Sequence, residues 1–434
     1  MNDIAGLPYV EAKFDKSGKP ENAFAVPAGV TDLFVVSHGW NNDADAARAL
    51  YRELFTNFVG VGKPGDFPGR TFAVAGVIWP AKKFDELVAA SGVSGNAQGA
   101  AALHAHDERS DQAILEKLER MKEFFTEPEQ QQILDELKAL LPDLEEKGSA
   151  RQAFVEKIRS LLDPAHAEKE DSSKAFFRDD GDELMTSLKV DEDDLDPEIA
   201  NTAGSASLPL GVGGIGAETG GAAKFSDLLS GFKAAAMNVL NYTTYYEMKA
   251  RAGEVGKNGV AKLLDGLPAH VQRIHLVGHS FGGRVVTAAA ANSTTNSIKS
   301  MTLLQAAFSH NGFSRTEKGF FHDVVKNKRV DGPILITHTK NDKAVGVAYP
   351  LASRLSGDRA AALGDANDPF GGIGRNGAQK MDEGETITGQ LLAVNSAYTF
   401  QPSKFFNLEA SSFIKNHSDV RGKEVAYALR RLIV

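Results

Sequence analysis

Residues 274–286 read IHLVGHSFGGRVV. A strand-like apolar run, RIHLVG (273–278), meets a helix-forming run, RVVTAAAAN (284–292), across Gly278-His279-Ser280-Phe281-Gly282. A G-x-S-x-G between strand and helix has a physical logic. The small glycines let the backbone take a tight, strained turn that lifts the serine hydroxyl above the sheet. A serine hydroxyl is a weak nucleophile until a base takes its proton and donors absorb the oxyanion charge. The chain holds 42 glycines, so the pattern alone also fits a structural corner.

Strand-like runs alternate with helical patterns on both sides of this turn, as in a mostly parallel sheet with crossover helices. The runs are DLFVVSHGW (32–40), TFAVAGVIWP (71–80), IKSMTLLQAAF (298–308), GPILITHT (332–339) and KFFNLE (404–409). Ala47, Leu50, Leu54 and Phe58 share a helical face, and residues 419–434 read as a C-terminal helix. Between 80 and 273 the rhythm breaks. Three amphipathic helices are expected over about 110–163, with stripes Ile114-Leu118-Met121-Phe125, Leu134-Leu137-Leu141 and Phe154-Ile158-Leu161. An acidic block and a glycine-rich linker (202–225) follow, and a long helix resumes near Ser226 with Leu229, Phe232, Ala236 and Leu240 on its buried face. The expected organisation is one α/β core from 1–80 and 224–434, interrupted by a helical, acidic and glycine-rich insertion over 81–223.

Bulk properties narrow the function classes. With 434 residues and no cysteine, the chain has ample material for a core and no route to disulfides, thiolate catalysis or cysteine-ligated metal. No run approaches eighteen apolar residues, so no transmembrane segment is expected. The first twenty residues lack the apolar core of a secretory signal, and with the missing cysteines this points to a cytoplasmic protein. Residues 168–198 hold thirteen acidic and four basic residues, which accounts for the whole formal charge of −9. The rest is formally neutral, which argues against a nucleic-acid surface. The block reads as a solvated loop, and its DEDDLDPE run lacks the glycine-interrupted spacing of a calcium loop.

With these flanks, the Ser280 motif resembles the α/β-hydrolase superfamily of serine hydrolases, in its esterase and lipase branch. The resemblance implies a fixed chain order of nucleophile, acid and histidine, each on a loop at the carboxyl edge of the sheet. Of eleven histidines only His417, in FIKNHSDV, lies beyond the 332–339 strand. The acid is expected after the second strand past the nucleophile, which selects Asp342 in THTKNDK; Asp358, Asp365 and Asp368 are the alternatives.

The resemblance also implies an oxyanion hole from the Phe281 amide and the loop after an earlier strand, here Gly39-Trp40. Asn41 and Asn42 either shape that loop or form an ordinary polar turn. Trp40, Trp79, Phe281 and Phe308 are candidate walls of an apolar acyl pocket, with burial in the core as the alternative for the two tryptophans. His38 and His279 are expected to orient neighbouring loops, and His310 to be a satisfied polar residue. The glycine-rich DPFGGIGRNG (368–377) reads as a mobile loop near the cleft and not as a phosphate cradle.

The expected activity is hydrolysis of a small-molecule ester or acyl substrate through a Ser-His-Asp triad, with the insertion as cap and no metal or organic cofactor. The same triad serves a thioesterase, amidase or acyltransferase, and an interaction module on a hydrolase scaffold is the reading from another class. The sequence sets no oligomeric state.

Overall fold

Among the described residues nine strands form a single sheet in the order β1-β2-β4-β3-β5-β6-β7-β9-β8. They are β1 (Asp3–Ile4), β2 (Leu7–Lys13), β3 (Asp32–Ser37), β4 (Phe72–Ile78), β5 (Arg273–His279), β6 (Ile298–Leu304), β7 (Ile334–His338), β8 (Thr386–Gln390) and β9 (Phe405–Glu409). Every neighbouring pair is parallel except the short β1–β2 contact. The computed structural model describes residues 3–40, 42–63, 65–81, 100–168, 170, 173–189, 231–342 and 370–433.

The central strands are apolar throughout because helices cover both faces of a parallel sheet. All six residues of β3 are buried, and five of the seven in β4. The crossover between them is α1 (Ala44–Gly60), started by Asp43, whose side chain accepts from the Ala46 amide at 2.8 Å. Ala47, Leu50, Leu54 and Phe58 are buried as their spacing predicts. The Phe55 and Phe58 rings lie 4.9 and 5.0 Å from that of Phe34 on β3. The strands expected from sequence all form, but the two-residue β1 and the longer β2 and β8 went unpredicted. The patterns of β2 and β8 are mostly half-exposed, so neither carries the continuous apolar run of a central strand.

The sheet grows in two directions from β3. β4 lies on one side of it, β5 on the other, and β6 and β7 continue away from β5. Such a reversal opens a crevice between the carboxyl ends of the two diverging strands, where open α/β sheets bind their ligands. In this chain the point of reversal lies beyond Ser37 and Gly278, which are register partners.

At the opposite edge, Asp32 is fully buried at the start of β3. Arg70 Nε donates to its Oδ1 at 3.0 Å, Thr31 Oγ1 to its Oδ2 at 2.6 Å, and His275 Nε2 lies 3.2 Å away. Burial alone raises a carboxyl pKa. Here the hydrogen bonds from His275, Arg70 and Thr31 outweigh it and hold Asp32 well below the usual carboxylate range. Asp32→Ala leaves Arg70 and His275 without their partner. It should cost about 3–5 kcal/mol in urea unfolding, and a loss under 1 kcal/mol means the cluster adds little.

The chain divides into two compact units. One is built from Met1–Lys83, Met248–Gly346 and Ala362–Val434 and holds the sheet; the other is built from Phe84–Glu247 and Val347–Ala361. The second contains α2 (Ala100–Met121), α3 (Pro128–Leu140) and α4 (Gly148–Ser160), with Ile114, Leu118, Met121, Leu134, Leu137, Phe154 and Ile158 all buried. The acidic block departs from the expected loop. Ser173–Arg178 and Gly181–Ser187 are helical, because Phe176, Leu184 and Met185 supply a buried side that the acid count conceals. Asp180 caps the second turn by accepting from the Asp182 and Glu183 amides. The long helix is α5 (Gly231–Glu254), and the unit boundary falls inside it. The DEDDLDPE run, the 202–225 linker and Leu229 lie outside the described residues. No described helix is long and apolar enough to cross a membrane.

Candidate active site

β5 ends at His279, and Ser280 turns the chain into α6 (Phe281–Asn292). Ser280 has φ 55° and ψ −126°, a backbone region that costs an L-residue of order 1–3 kcal/mol. Three backbone bonds hold it there. Its amide donates to Leu304 O at 3.1 Å, and its carbonyl accepts from Gly283 at 2.9 Å and Ala307 at 3.0 Å. Gly282 has a steric reason: a Cβ there would lie 2.1 Å from Ser37 O. The first turn of α6 therefore rests on the end of β3.

The loop after β3 reaches the serine itself. A Cβ on Gly39 would fall 2.4 Å from Ser280 Cβ and 2.9 Å from its Oγ, so only glycine lets this backbone approach. A buried network holds the loop. Tyr51 Oη accepts from the His38 amide at 2.8 Å and donates to Val77 O at 2.6 Å. His38 Nδ1 donates to Gly39 O at 2.9 Å, which leaves Nε2 to accept from the Trp79 amide at 3.4 Å. Trp79 stacks on the His38 ring at 5.5 Å, and its Nε1 donates to His38 O at 3.1 Å. Asn42 Nδ2 donates to Gly39 O and Trp40 O, both at 3.3 Å, the contacts of the loop-shaping alternative. Asn41 lies outside the described residues. The Trp40 ring sits 6.1 Å from that of Phe281, which is buried.

Asp342 and His417 meet across the loops after β7 and β9, with Nδ1 of His417 2.9 Å from Oδ2 of the fully buried Asp342. An ionised carboxylate only accepts, so this contact places the imidazole proton on Nδ1. Three further contacts stitch the same loops together: Thr339 Oγ1 to Ser411 Oγ at 2.7 Å, and Asn341 Nδ2 to Ser411 O at 3.2 Å and to Ile414 O at 3.0 Å. His279, beside Ser280, donates from Nε2 to the His417 carbonyl at 2.9 Å, with the two rings 5.0 Å apart. Asp358, Asp365 and Asp368 lie outside the described residues.

Burial keeps both loop-holding histidines neutral, pulling His38 down to about 4 and His279 down to about 3. On unfolding each returns to a pKa near 6.5. Below that pH the unfolded chain binds more protons than the folded one, so stability falls as pH drops towards 4. Each such histidine contributes up to about 1.4 kcal/mol per pH unit in that window. The urea midpoint should therefore decline steadily from pH 7 to 4.5, and an unchanged midpoint would contradict the buried neutral state.

The other expected residues lie elsewhere. Phe308 is buried in an aromatic cluster with Phe313 and Phe321, at 5.6 and 5.1 Å. His310 is buried, with Nδ1 3.2 Å from Asn376 Nδ2. The mobile loop expected over 368–377 is corrected for its described part, 370–377. Ile373 and Gly374 donate to Phe308 O and Ala306 O at 2.9 and 3.0 Å, and Ile373–Asn376 is helical. Apolar Ile373 is fully buried and seats the segment, which the glycines obscure in the sequence. Tyr51 was missed because a tyrosine at helical spacing beside Leu50 and Leu54 reads as ordinary core. Comparison with family models, curated proteins and solved structures found no match.

Proposed function

We propose that the chain is a serine hydrolase of the α/β-hydrolase type that cleaves carboxylic esters through an acyl-enzyme on Ser280. One observation carries the reading. At the point where the sheet reverses, a serine in a strained turn has backbone packed against its hydroxyl and an Asp–His pair on neighbouring loops. That arrangement costs stability, and a structural corner has no use for it.

In this reading the proton on Nδ1 of His417 leaves Nε2 to accept the Ser280 hydroxyl proton as Oγ attacks the ester carbonyl. Asp342 holds the imidazole orientation and stabilises the imidazolium. In this reading the oxyanion falls between the Phe281 amide, at the positive end of the α6 dipole, and the Trp40 amide next to Gly39. His417 returns the proton to the departing alcohol, then activates a water that releases the carboxylic acid and regenerates Ser280. No step needs a metal or organic cofactor. Trp40 faces the acyl group, whereas Trp79 serves by carrying His38, and Phe308 by packing beneath the β6 end. The helical unit, most of it inserted between β4 and β5, is assigned substrate selection in this reading.

Turnover of p-nitrophenyl esters of increasing acyl length, beside matched thioesters and anilides, tests the reading. Esters should be cleaved at least tenfold faster than anilides of the same acyl group. A thioester preference reassigns the substrate class, and no turnover of any of the three rejects the hydrolase reading.

A further inference from the structure

A cavity of about 920 Å³ lies beside the C-terminal end of β2, between residues 12–26 and the segment 258–270. Small-molecule sites span roughly 300–1,000 Å³, so the space suffices for a ligand of drug or lipid-chain size. It is remote from Ser280. β2 is separated from β5 by β4 and β3, three strand spacings or about 14 Å.

Its lining has two characters. Phe14, Phe24, Leu263 and Leu267 give it an apolar wall. Lys13, Lys19 and Lys262 give it cationic groups, and none of its described lining residues is acidic. Lys13 pairs with Glu11 at 3.5 Å, Lys19 lies within electrostatic reach of Asp15, and Lys262 has no ion pair among the described residues. His270, also in the lining, has a buried Nε2 with no hydrogen-bond partner among the described residues. Part of the wall is a π-helical turn, Val255–Val260, which contributes Asn258 and Gly259. Wide turns of this kind are rare and concentrate at functional sites. The wall is also closely built: a Cβ on Gly259 would fall 2.7 Å from the Phe14 ring and 2.8 Å from Gly18 O.

We infer that this cavity binds an amphiphilic carboxylate, a fatty-acid anion whose chain lies against the phenylalanine and leucine wall and whose head meets Lys19, Lys262 and His270. The site needs no part of the Ser280 machinery, so it stands or falls separately from the hydrolase reading.

Calorimetric titration of the full chain carrying Ser280→Ala with laurate, 1-dodecanol and acetate tests it. Laurate should saturate at one per chain, with dodecanol at least tenfold weaker and acetate silent. Lys19→Gln with Lys262→Gln, both exposed positions, should weaken laurate at least tenfold and leave dodecanol unchanged. Leu263→Trp should block both ligands by filling the lumen. Wild-type protein phosphonylated on Ser280 should still bind laurate. The inference is overturned by no laurate binding, by unchanged affinity in the double variant, or by loss of binding on phosphonylation, which would place the laurate at Ser280.

Discussion

Ser280→Ala should abolish labelling by a fluorophosphonate probe and lower kcat on esters by about a million-fold, the loss typical when a triad nucleophile is removed. The stability outcome is equally specific. Alanine suffers the same backbone strain as serine at φ 55°, and the backbone bonds to Leu304, Gly283 and Ala307 remain. The urea midpoint of Ser280→Ala should therefore stay close to wild type. Ser280→Gly relieves the strain, worth about 1–3 kcal/mol, and gives back about 0.5–1 kcal/mol through the freer unfolded chain. It should be about 1 kcal/mol more stable than wild type and equally inactive. Higher stability with no activity is the mark of a residue held under strain for its chemistry. Labelling that survives in Ser280→Ala, or turnover within a hundredfold of wild type, would falsify Ser280 as nucleophile.

How much was legible in the sequence depended on whether one contiguous run carried the information. β3, β4 and β5 are continuous apolar runs ended by turn residues, and each stands where the runs predict. β2 contains Pro8, Glu11 and Lys13, and β8 contains Gly389, so neither announces itself; both are recruited by pairing with a stronger neighbour. The Asp342–His417 contact was expected only through the chain order that the resemblance implies, with His417 the one eligible histidine and Asp342 preferred over Asp358, Asp365 and Asp368. The loop network around His38 was not legible, since Tyr51 on α1, Trp79 after β4 and His38 after β3 meet only once the strands are in register. Trp79 looked like a candidate pocket wall for the same reason. A tryptophan at a strand end reads alike whether its face meets a ligand or a histidine ring. In the acidic block charge density masked Phe176, Leu184 and Met185, whose burial sets the helices.

Asp342→Asn probes the remaining member of the proposed machinery at nearly constant shape. The carboxylate accepts from His417 Nδ1, whereas an asparagine amide can present its NH2 and invite the opposite tautomer. With the proton moved to Nε2, the ring can no longer take one from Ser280. The expected result is a fall in kcat of about ten-thousand-fold with KM little changed, because the acid acts on the base and not on the substrate. Fluorophosphonate labelling should slow in parallel, since it too requires Nε2 as acceptor. Both rates should recover partly at high pH, where hydroxide can deprotonate the serine directly. A change in KM matched by no change in kcat would point to a role in binding. A loss below tenfold would mean that another carboxylate orients His417, and the acid would then have to come from Asp358, Asp365 or Asp368.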